Sequence, residues 1–561
     1  MLLLPLLLAA LLPNAEGSPL AAGALSWMSN DTISARSGSN RRLMATKNEF
    51  MPAGGKGAWF SNVNSGVITI HGAVMKTGEV VAWQIFKKGY NSVVLNPTTG
   101  QTQQLLGQKG IHDGHNSFCG AQTTSPTQDI FMVGGHTTAE RYFRHYNHNS
   151  RTVKSYLMSS NRWYPGVATL PDGKIITVGG VLKSGVGGWG AVGKANFNNP
   201  TYEITEPYGP TFGGDQDEMT EQLTVAFPMH EYPHPIVMPD GSLVVSAGKT
   251  LYRYQKTNSP FRFAKQYRYQ NDPHPARSYP QTGASILLPL HYSDNYQRMV
   301  LMKAGGSVVE KANSQTPASN QAHFIELSAG KDAPWHGVQM PLNRVMPDAV
   351  HLCDGTILLV NGATQGVAGW GNGGYTFKGR DGYRYDCTAK CGNTGDNFQY
   401  EPTIFDPVTG KFSAKGSLNM AVRGRGYHSI ALLMPDCRVM VGGSDVTNDH
   451  TAEFFYPPHL AAGPRPKIIW APNSATWGQQ VPVQYSTADP VDRAILIRTG
   501  SATHSQGFDA RALWLPFSVI GPAGLSVTMP PTRENAPPGM YYLVLLSTKG
   551  VPSVSKIISL K

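Results

Sequence analysis

TLPDGKIITVGG, residues 169–180, reads as a tight turn leading into a strand that closes on two glycines. Proline and glycine supply the fixed and the positive φ that a turn needs, and Ile-Ile-Thr-Val is a short β-branched run. The unit returns as VMPDGSLVVSAG (237–248), HLCDGTILLVNG (351–362) and LLMPDCRVMVGG (432–443), and in degenerate form ending in FMVGG (131–135) and LMKAGG (301–306). Short strands repeated at intervals of about 45 to 80 residues point to a kelch-type β-propeller. Six copies are visible; seven blades are expected, with early strands around Gly66–Ile70 and Ser92–Leu95 pairing with the last blade to close the seventh.

Beyond Pro457-Pro458 the pattern changes to strands such as VPVQYS, RAILIRTG, LSVTMP and MYYLVLLS, separated by Pro and Gly turns. That spacing fits an immunoglobulin-like β-sandwich. The expected fold is therefore all-β: a propeller over residues 50–462 followed by a sandwich over 463–561. At the other end, the apolar run Leu2–Leu12 is too short to span a bilayer and reads as a signal peptide over residues 1–17. Residues 18–49, which include the glycosylation pattern at Asn30, form a lead-in without periodicity.

Export changes the reading of the five cysteines. Cys387 and Cys391 are close enough in CTAKC to pair locally, and Cys353 and Cys437 fall in the turns of two consecutive repeats, where a bridge is plausible. Cys119 is the odd thiol. The net charge of +11 invites a polyanion, most strongly at Tyr252 to Tyr269, where basic residues alternate with aromatics. In an exported β-protein that stretch reads as two strands with a charged outer face, so neither a nucleic acid nor a membrane is expected as partner. Weak adsorption to an acidic cell wall or matrix fits the charge, and the chain is expected to be a monomer.

The repeat also acts as a ruler. Cys119, Tyr164 and Tyr427 each stand sixteen residues before the closing glycine of their copies, at Gly135, Gly180 and Gly443. The same offset selects Tyr232 and Met346, so position alone marks a channel lining and not a catalyst. Tyr427-His428 sharpens the case. Neighbours on a strand face opposite ways, and both reach one ion only at a strand start or turn, which the preceding Arg-Gly-Arg-Gly allows. His504, in RTGSATHSQG, reads by itself as an ordinary loop histidine. Two imidazoles and two phenolates make an N,O set suited to tetragonal Cu(II), whereas zinc favours Cys or carboxylate. The rival pairs His112-x-x-His115 and His145-x-x-His148 lack obvious partners.

At these residues the chain resembles the copper radical oxidases, the family of glyoxal oxidase and galactose oxidase, and glyoxal oxidase more closely. The matching stretches include NSFCG, RWYPGVATLPDG, NNPTYEI, YPHPIVMPDG, RSYPQTGA, MPDAVHLCDGTILLVNGATQGVAGW, RGYHS, IRTGSATHS and APPGMYYLVLLSTKGVPSV. They run in unbroken order from about Asn48 to the C-terminus. The resemblance implies one copper ion and a thioether joining Cys119 to Tyr164, whose ring would carry a protein radical. Tyr164, His428 and His504 would be equatorial ligands, and Tyr427 an axial ligand and base. A hairpin of the C-terminal domain would bring His504 to the propeller axis. One departure stands out: galactose oxidase covers its crosslinked tyrosine with a tryptophan soon after the Gly-Gly of that blade, and Trp189 is not at that offset.

The expected activity is that of a secreted oxidase of small aldehydes or α-hydroxycarbonyls such as glyoxal and methylglyoxal, with O2 as acceptor and H2O2 as product. A primary-alcohol or galactose-type oxidase with the same site, and a glycan-binding propeller with no catalysis, are the alternatives. Tyr232, Asp348 and Gln365 are candidates for the substrate pocket.

Overall fold

The computed structural model describes residues 55–85, 92–105, 111, 113–185, 194–209, 212–275, 277–370, 375–378, 384–387, 392–393, 397–444 and 449–561. The signal, lead-in and Asn30 readings, and those on His112, Trp189 and Cys391, lie outside the described residues, as does the side chain of Cys387.

Seven antiparallel sheets are arranged about one axis. Their innermost strands, in chain order, are His71–Val74, Ala121–Thr124, Gly166–Thr169, His234–Val237, Gly283–Leu287, Asp348–His351 and Ser429–Leu433. Each leads through a turn into its antiparallel neighbour, as the Pro-Asp-Gly units predict. The closure differs from expectation. Ala58–Asn64 pairs with Thr451–Tyr456 as the fourth strand of the last blade. Ser92–Leu95 instead belongs to the first blade, between Val80–Trp83 and Thr102–Gln104. The closing strand Ala58–Asn64 carries the weak alternation AWFSNVN and no turn unit, so the repeat could not reveal it.

Five of the six copies end in consecutive left-handed residues: Gly134-Gly135, Gly179-Gly180, Gly305-Gly306, Asn361-Gly362 and Gly443-Ser444 all have positive φ, while the copy at 237–248 has it at Gly248 alone. Such a turn aims a backbone carbonyl inward, away from the ladder. Five buried arginines meet those carbonyls: Arg144, Arg162, Arg277, Arg344 and Arg425 donate to the carbonyl oxygens of Gly134, Gly179, Gly305, Asn361 and Gly443 at 2.9–3.0 Å. Burying a guanidinium is costly unless it is hydrogen-bonded or paired, and here part of that cost is offset by its bonds to the carbonyls that close the blades.

The C-terminal domain is a sandwich of a four-stranded and a five-stranded sheet, with apolar residues such as Val481, Val483, Leu525 and Val527 facing Leu543, Leu545 and Leu496 between them. One hairpin leaves it. Ser501–Thr503 adds to the inner edge of the first blade, with Gly72 opposite Ala502, so the two domains share a six-stranded sheet. Cys353 and Cys437 form a disulfide between the turns of adjacent blades.

The basic stretch is two strands, Thr250–Lys256 and Phe263–Arg268. Tyr252, Tyr254 and Phe263 face the core, and four of the five cations are paired, Arg253 with Asp240, Lys256 with Asp172, Arg262 with Glu218 and Lys265 with Glu221, while Arg268 donates to Asn271. Among the described residues, no helix is long and apolar enough to cross a membrane.

Candidate metal centre

Immediately before the inner strands, Cys119, Tyr164, Tyr232, Met346 and His428 have φ of 62°, 59°, 51°, 58° and 66°. A left-handed conformation costs a non-glycine residue roughly 1 kcal/mol or more, and such strain gathers at functional sites. Here its geometric effect is plain: the kink points each side chain at the axis. Backbone bonds tie the kinks together, Tyr164 N–H donating to Cys119 O at 3.0 Å, Tyr232 N–H to Tyr164 O at 2.8 Å and Met346 N–H to Thr282 O at 2.7 Å.

The ruler therefore slips by one in the last blade. There the second left-handed position is Ser444 rather than a second glycine, and counting from it selects His428, not Tyr427. This resolves how neighbours reach one centre. His428 occupies the kink, Tyr427 lies in the tier before it, and their rings stack 3.7 Å apart between centroids. The matching tier in earlier blades holds Phe118 and Trp163.

His504 arrives on the hairpin. Thr503 pairs with Gln506, and the two residues between, His504 and Ser505, have φ of 53° and 62°, the conformation of a type I′ turn. Asn-Gly is the usual sequence there, so THSQ gave no hairpin signal. Thr503 Oγ1 and Tyr232 Oη lie 2.5 and 3.1 Å from His504 Nδ1. Nε2 is thereby turned inward, 3.7 Å from Cys119 Sγ.

Cys119 Sγ is 3.4 Å from Tyr164 Oη, beside the hydroxyl end of the ring, and Tyr164 Oη is 2.5 Å from Tyr427 Oη. One ligand atom each from Cys119, His428 and His504 fall within 4.8 Å of one another. All five side chains are buried. Burial pushes the phenols of Tyr164 and Tyr427 well above their ordinary range, and holds His504 well below its own, with His428 and His71 adding to the effect. The protein alone thus presents His504 as a neutral imidazole, the ligand form, and phenols that ionise only beside a cation. Nitrogen and phenol-oxygen donors with a thiol beside one phenol fit copper, which His428, His504, Tyr164 and Tyr427 would hold.

Trp163 stacks on Tyr164 with centroids 4.0 Å apart and planes 20° apart. Trp163, the residue directly before the tyrosine, thus covers the Tyr164 ring. Tyr279, whose Oη is 3.2 Å from Tyr427 Oη, also belongs to the centre. The sequence carries a sign of it: Tyr-Pro stands at 164–165, 232–233 and 279–280, with a fourth copy, Tyr456-Pro457, at the end of Thr451–Tyr456. Of the pocket candidates, Tyr232 touches His504, as given above. Asp348 is fully interior, accepting from Asn361 and Ser429 at 2.8 and 3.0 Å, and Gln365 donates to Ser314 O at 3.4 Å. His145 and His148 pair with different carboxylates, Asp129 and Glu79. His115 stacks on Tyr142.

A family model of the glyoxal oxidase N-terminus matches residues 91–393, more than half of the chain. The chain belongs to the glyoxal oxidase family. A second model, the galactose oxidase-like early set domain, matches residues 465–560. Among similar proteins is an aldehyde oxidase, GLOX1, of Arabidopsis thaliana, 26% identical over 439 residues; the match spans 72% of this chain and 64% of that protein. The aldehyde oxidase GLOX of Vitis pseudoreticulata is 25% identical, over 89% of this chain and 95% of its own. A galactose oxidase of Gibberella zeae is 23% identical, over 90% and 71%. The solved structure of a fungal alcohol oxidase of the AA5 family, in complex with copper, shares the fold with a TM-score of 0.68 at 19% identity, covering 90% of this chain and 99% of that one. With its Cys119-Tyr164 pair and its two histidines, the centre is a copper radical oxidase site.

Proposed function

We propose that the protein is a secreted oxidase that turns small aldehydes or α-hydroxycarbonyls, such as glyoxal and methylglyoxal, into carboxylic acids while reducing O2 to H2O2. The observation that carries this reading is the buried contact of one thiol, two phenols and two imidazoles contributed by three blades and a separate domain. For an aldehyde hydrate the balance is RCH(OH)2 + O2 → RCOOH + H2O2. Bound copper supplies one electron acceptor and lowers the pKa of a hydroxyl on it.

The chain supplies the rest. Tyr164 takes the second electron only after a separate one-electron oxidation, by O2 or another oxidant, has made it a radical: its ring, once joined to Cys119 Sγ and stacked under Trp163, is electron-rich enough to hold that hole and is shielded from water. Forming that thioether removes one hydrogen from the thiol and one from a ring carbon, two electrons in all, which O2 accepts as H2O2. Tyr427 holds the substrate proton, and Tyr279 hydrogen-bonds with it. His504 is oriented by Thr503 and Tyr232 and brought in by the hairpin. The Cys353–Cys437 disulfide indicates an oxidising compartment, which supports export.

Two measurements test the reading. Peptide mapping of copper-treated protein is expected to show the Cys119 and Tyr164 peptides linked, two hydrogens lighter than their sum; unlinked peptides would refute the radical cofactor. Peroxide release is expected with glyoxal and methylglyoxal, and release with simple alcohols or galactose alone would reassign the substrate class.

A further inference from the structure

We propose that His136 orients the substrate, its imidazole hydrogen-bonding the second oxygen of a hydrated or α-oxygenated aldehyde and so selecting such molecules over simple primary alcohols. The inference rests on the oxidase reading above and adds a residue that the ruler, the resemblance and the donor set all pass over.

His136 directly follows Gly134-Gly135, at the same end of the blades as the centre. Its backbone is pinned: N–H donates to Asn116 O at 2.9 Å, and its carbonyl accepts from Thr137 Oγ1 at 2.7 Å and Ala139 N–H at 3.2 Å. The ring is held against the two aromatic residues of the tier above the kinks. Its centroid is 5.7 Å from that of Phe118, in edge contact, and 6.4 Å from that of Trp163. Phe118 is in turn 5.0 Å from His428 and 5.9 Å from His504, while Trp163 lies on Tyr164. The imidazole thus stands one ring away from both the metal-holding histidines and the radical tyrosine.

Its Nδ1 is buried and has no hydrogen-bond partner among the described residues. A buried polar atom without a partner is uncommon and asks for a ligand or a water. Burial keeps His136 in the neutral form, with one donor and one acceptor. Phe118 offers no polar atom and Trp163 only a donor, its buried indole Nε1–H, unpartnered among the described residues, so a substrate lying along this wall meets carbon surface, that one N–H and the imidazole, which alone carries an acceptor. A gem-diol or an α-dicarbonyl brings a second oxygen to that imidazole; a primary alcohol brings a methylene and leaves it unpaired. Sites built to hydrogen-bond a substrate group discriminate strongly against analogues that lack it.

The test compares copper-loaded wild type with His136→Leu, which keeps the bulk, and His136→Gln, which keeps polar atoms. Peroxide release is followed with methylglyoxal and with 1-propanol. For His136→Leu, KM for methylglyoxal is expected to rise about 10- to 100-fold with a smaller change in kcat, while kcat/KM for 1-propanol stays within about 3-fold. His136→Gln is expected to recover part of the methylglyoxal loss. An equal loss on both substrates would mark a structural role and overturn the proposal, as would no change on either. If wild type releases no peroxide from any substrate, the oxidase reading fails. Saturation-transfer NMR of hydroxyacetone then decides the His136 proposal by itself: binding to wild type weakened in His136→Leu supports it, and equal or absent binding overturns it.

Discussion

The position of His504 depends on how firmly the hairpin is strapped to the propeller, and the strap is Asp509. Its carboxylate accepts from Thr169 N–H at 3.0 Å, from Thr169 Oγ1 at 2.8 Å and from Thr123 Oγ1 at 2.5 Å, and lies 3.5 Å from the Arg498 guanidinium. Two blades and the sandwich therefore meet on one side chain. Asp509→Asn tests this cleanly, because Asn tolerates the observed φ of 57° and keeps the shape. An amide accepts through one oxygen only and turns its NH2 toward groups that are themselves donors. Bonds to a charged acceptor contribute roughly 1 kcal/mol more than neutral ones. Three such bonds, together with a buried Arg498 left without its counter-charge, give a loss of about 3 to 5 kcal/mol in docking. Native-state hydrogen exchange of residues 501–507 is expected to accelerate toward that limit, with copper affinity falling about 10- to 100-fold, as for other residues that orient metal ligands. Unchanged exchange in the hairpin together with copper affinity within 2-fold of wild type would show that His504 is held by the turn itself, and the strap argument would be wrong.

Other outcomes follow from the same geometry. Cys353→Ser opens a crosslink of sequence separation 84 and is expected to lower stability by about 4 to 5 kcal/mol on the chain-entropy model, read as a lower urea midpoint. Trp163→Leu removes a stacked indole; aromatic pairing of roughly 0.5–1.5 kcal/mol corresponds to a shift of some 20–65 mV in the one-electron potential of Tyr164, measurable by redox titration of the radical's absorption. Fully buried His351 has its pKa lowered to about 4 by burial, so its folded form binds fewer protons than the unfolded chain. Its contribution is complete above pH 6.5 and is lost as pH falls toward 4, a change of about 3 kcal/mol. His351→Gln is expected to flatten the stability profile over that window, as followed by denaturant melts at each pH.

The blades were legible because their turns need particular residues: Pro-Asp-Gly and the closing glycines recur wherever the chain reverses. Where a left-handed position is filled by something other than glycine, the reading weakened. Ser444 hid the true register of the last blade, so Tyr427 was placed where His428 stands. His504-Ser505 formed a turn that neither residue favours, stabilised by pairing with a strand over four hundred positions earlier, and only the resemblance indicated it. Trp163 was missed because adjacency along a strand argues against a shared face, and the kink at Tyr164 breaks that rule. The closing strand Ala58–Asn64 owes its place to Thr451–Tyr456 rather than to its own pattern.

That last pairing, with the hairpin, sets an order on biosynthesis. The propeller has no closed ring until residue 456 has left the ribosome, and its first blade lacks an inner edge until residues 501–503 follow. Blades made early wait as an open arc, a topology of high contact order that folds slowly. His504 joins the other ligands only when nearly the whole chain exists. A polypeptide that stops before residue 504 therefore lacks one of the residues gathered at the centre and cannot assemble it.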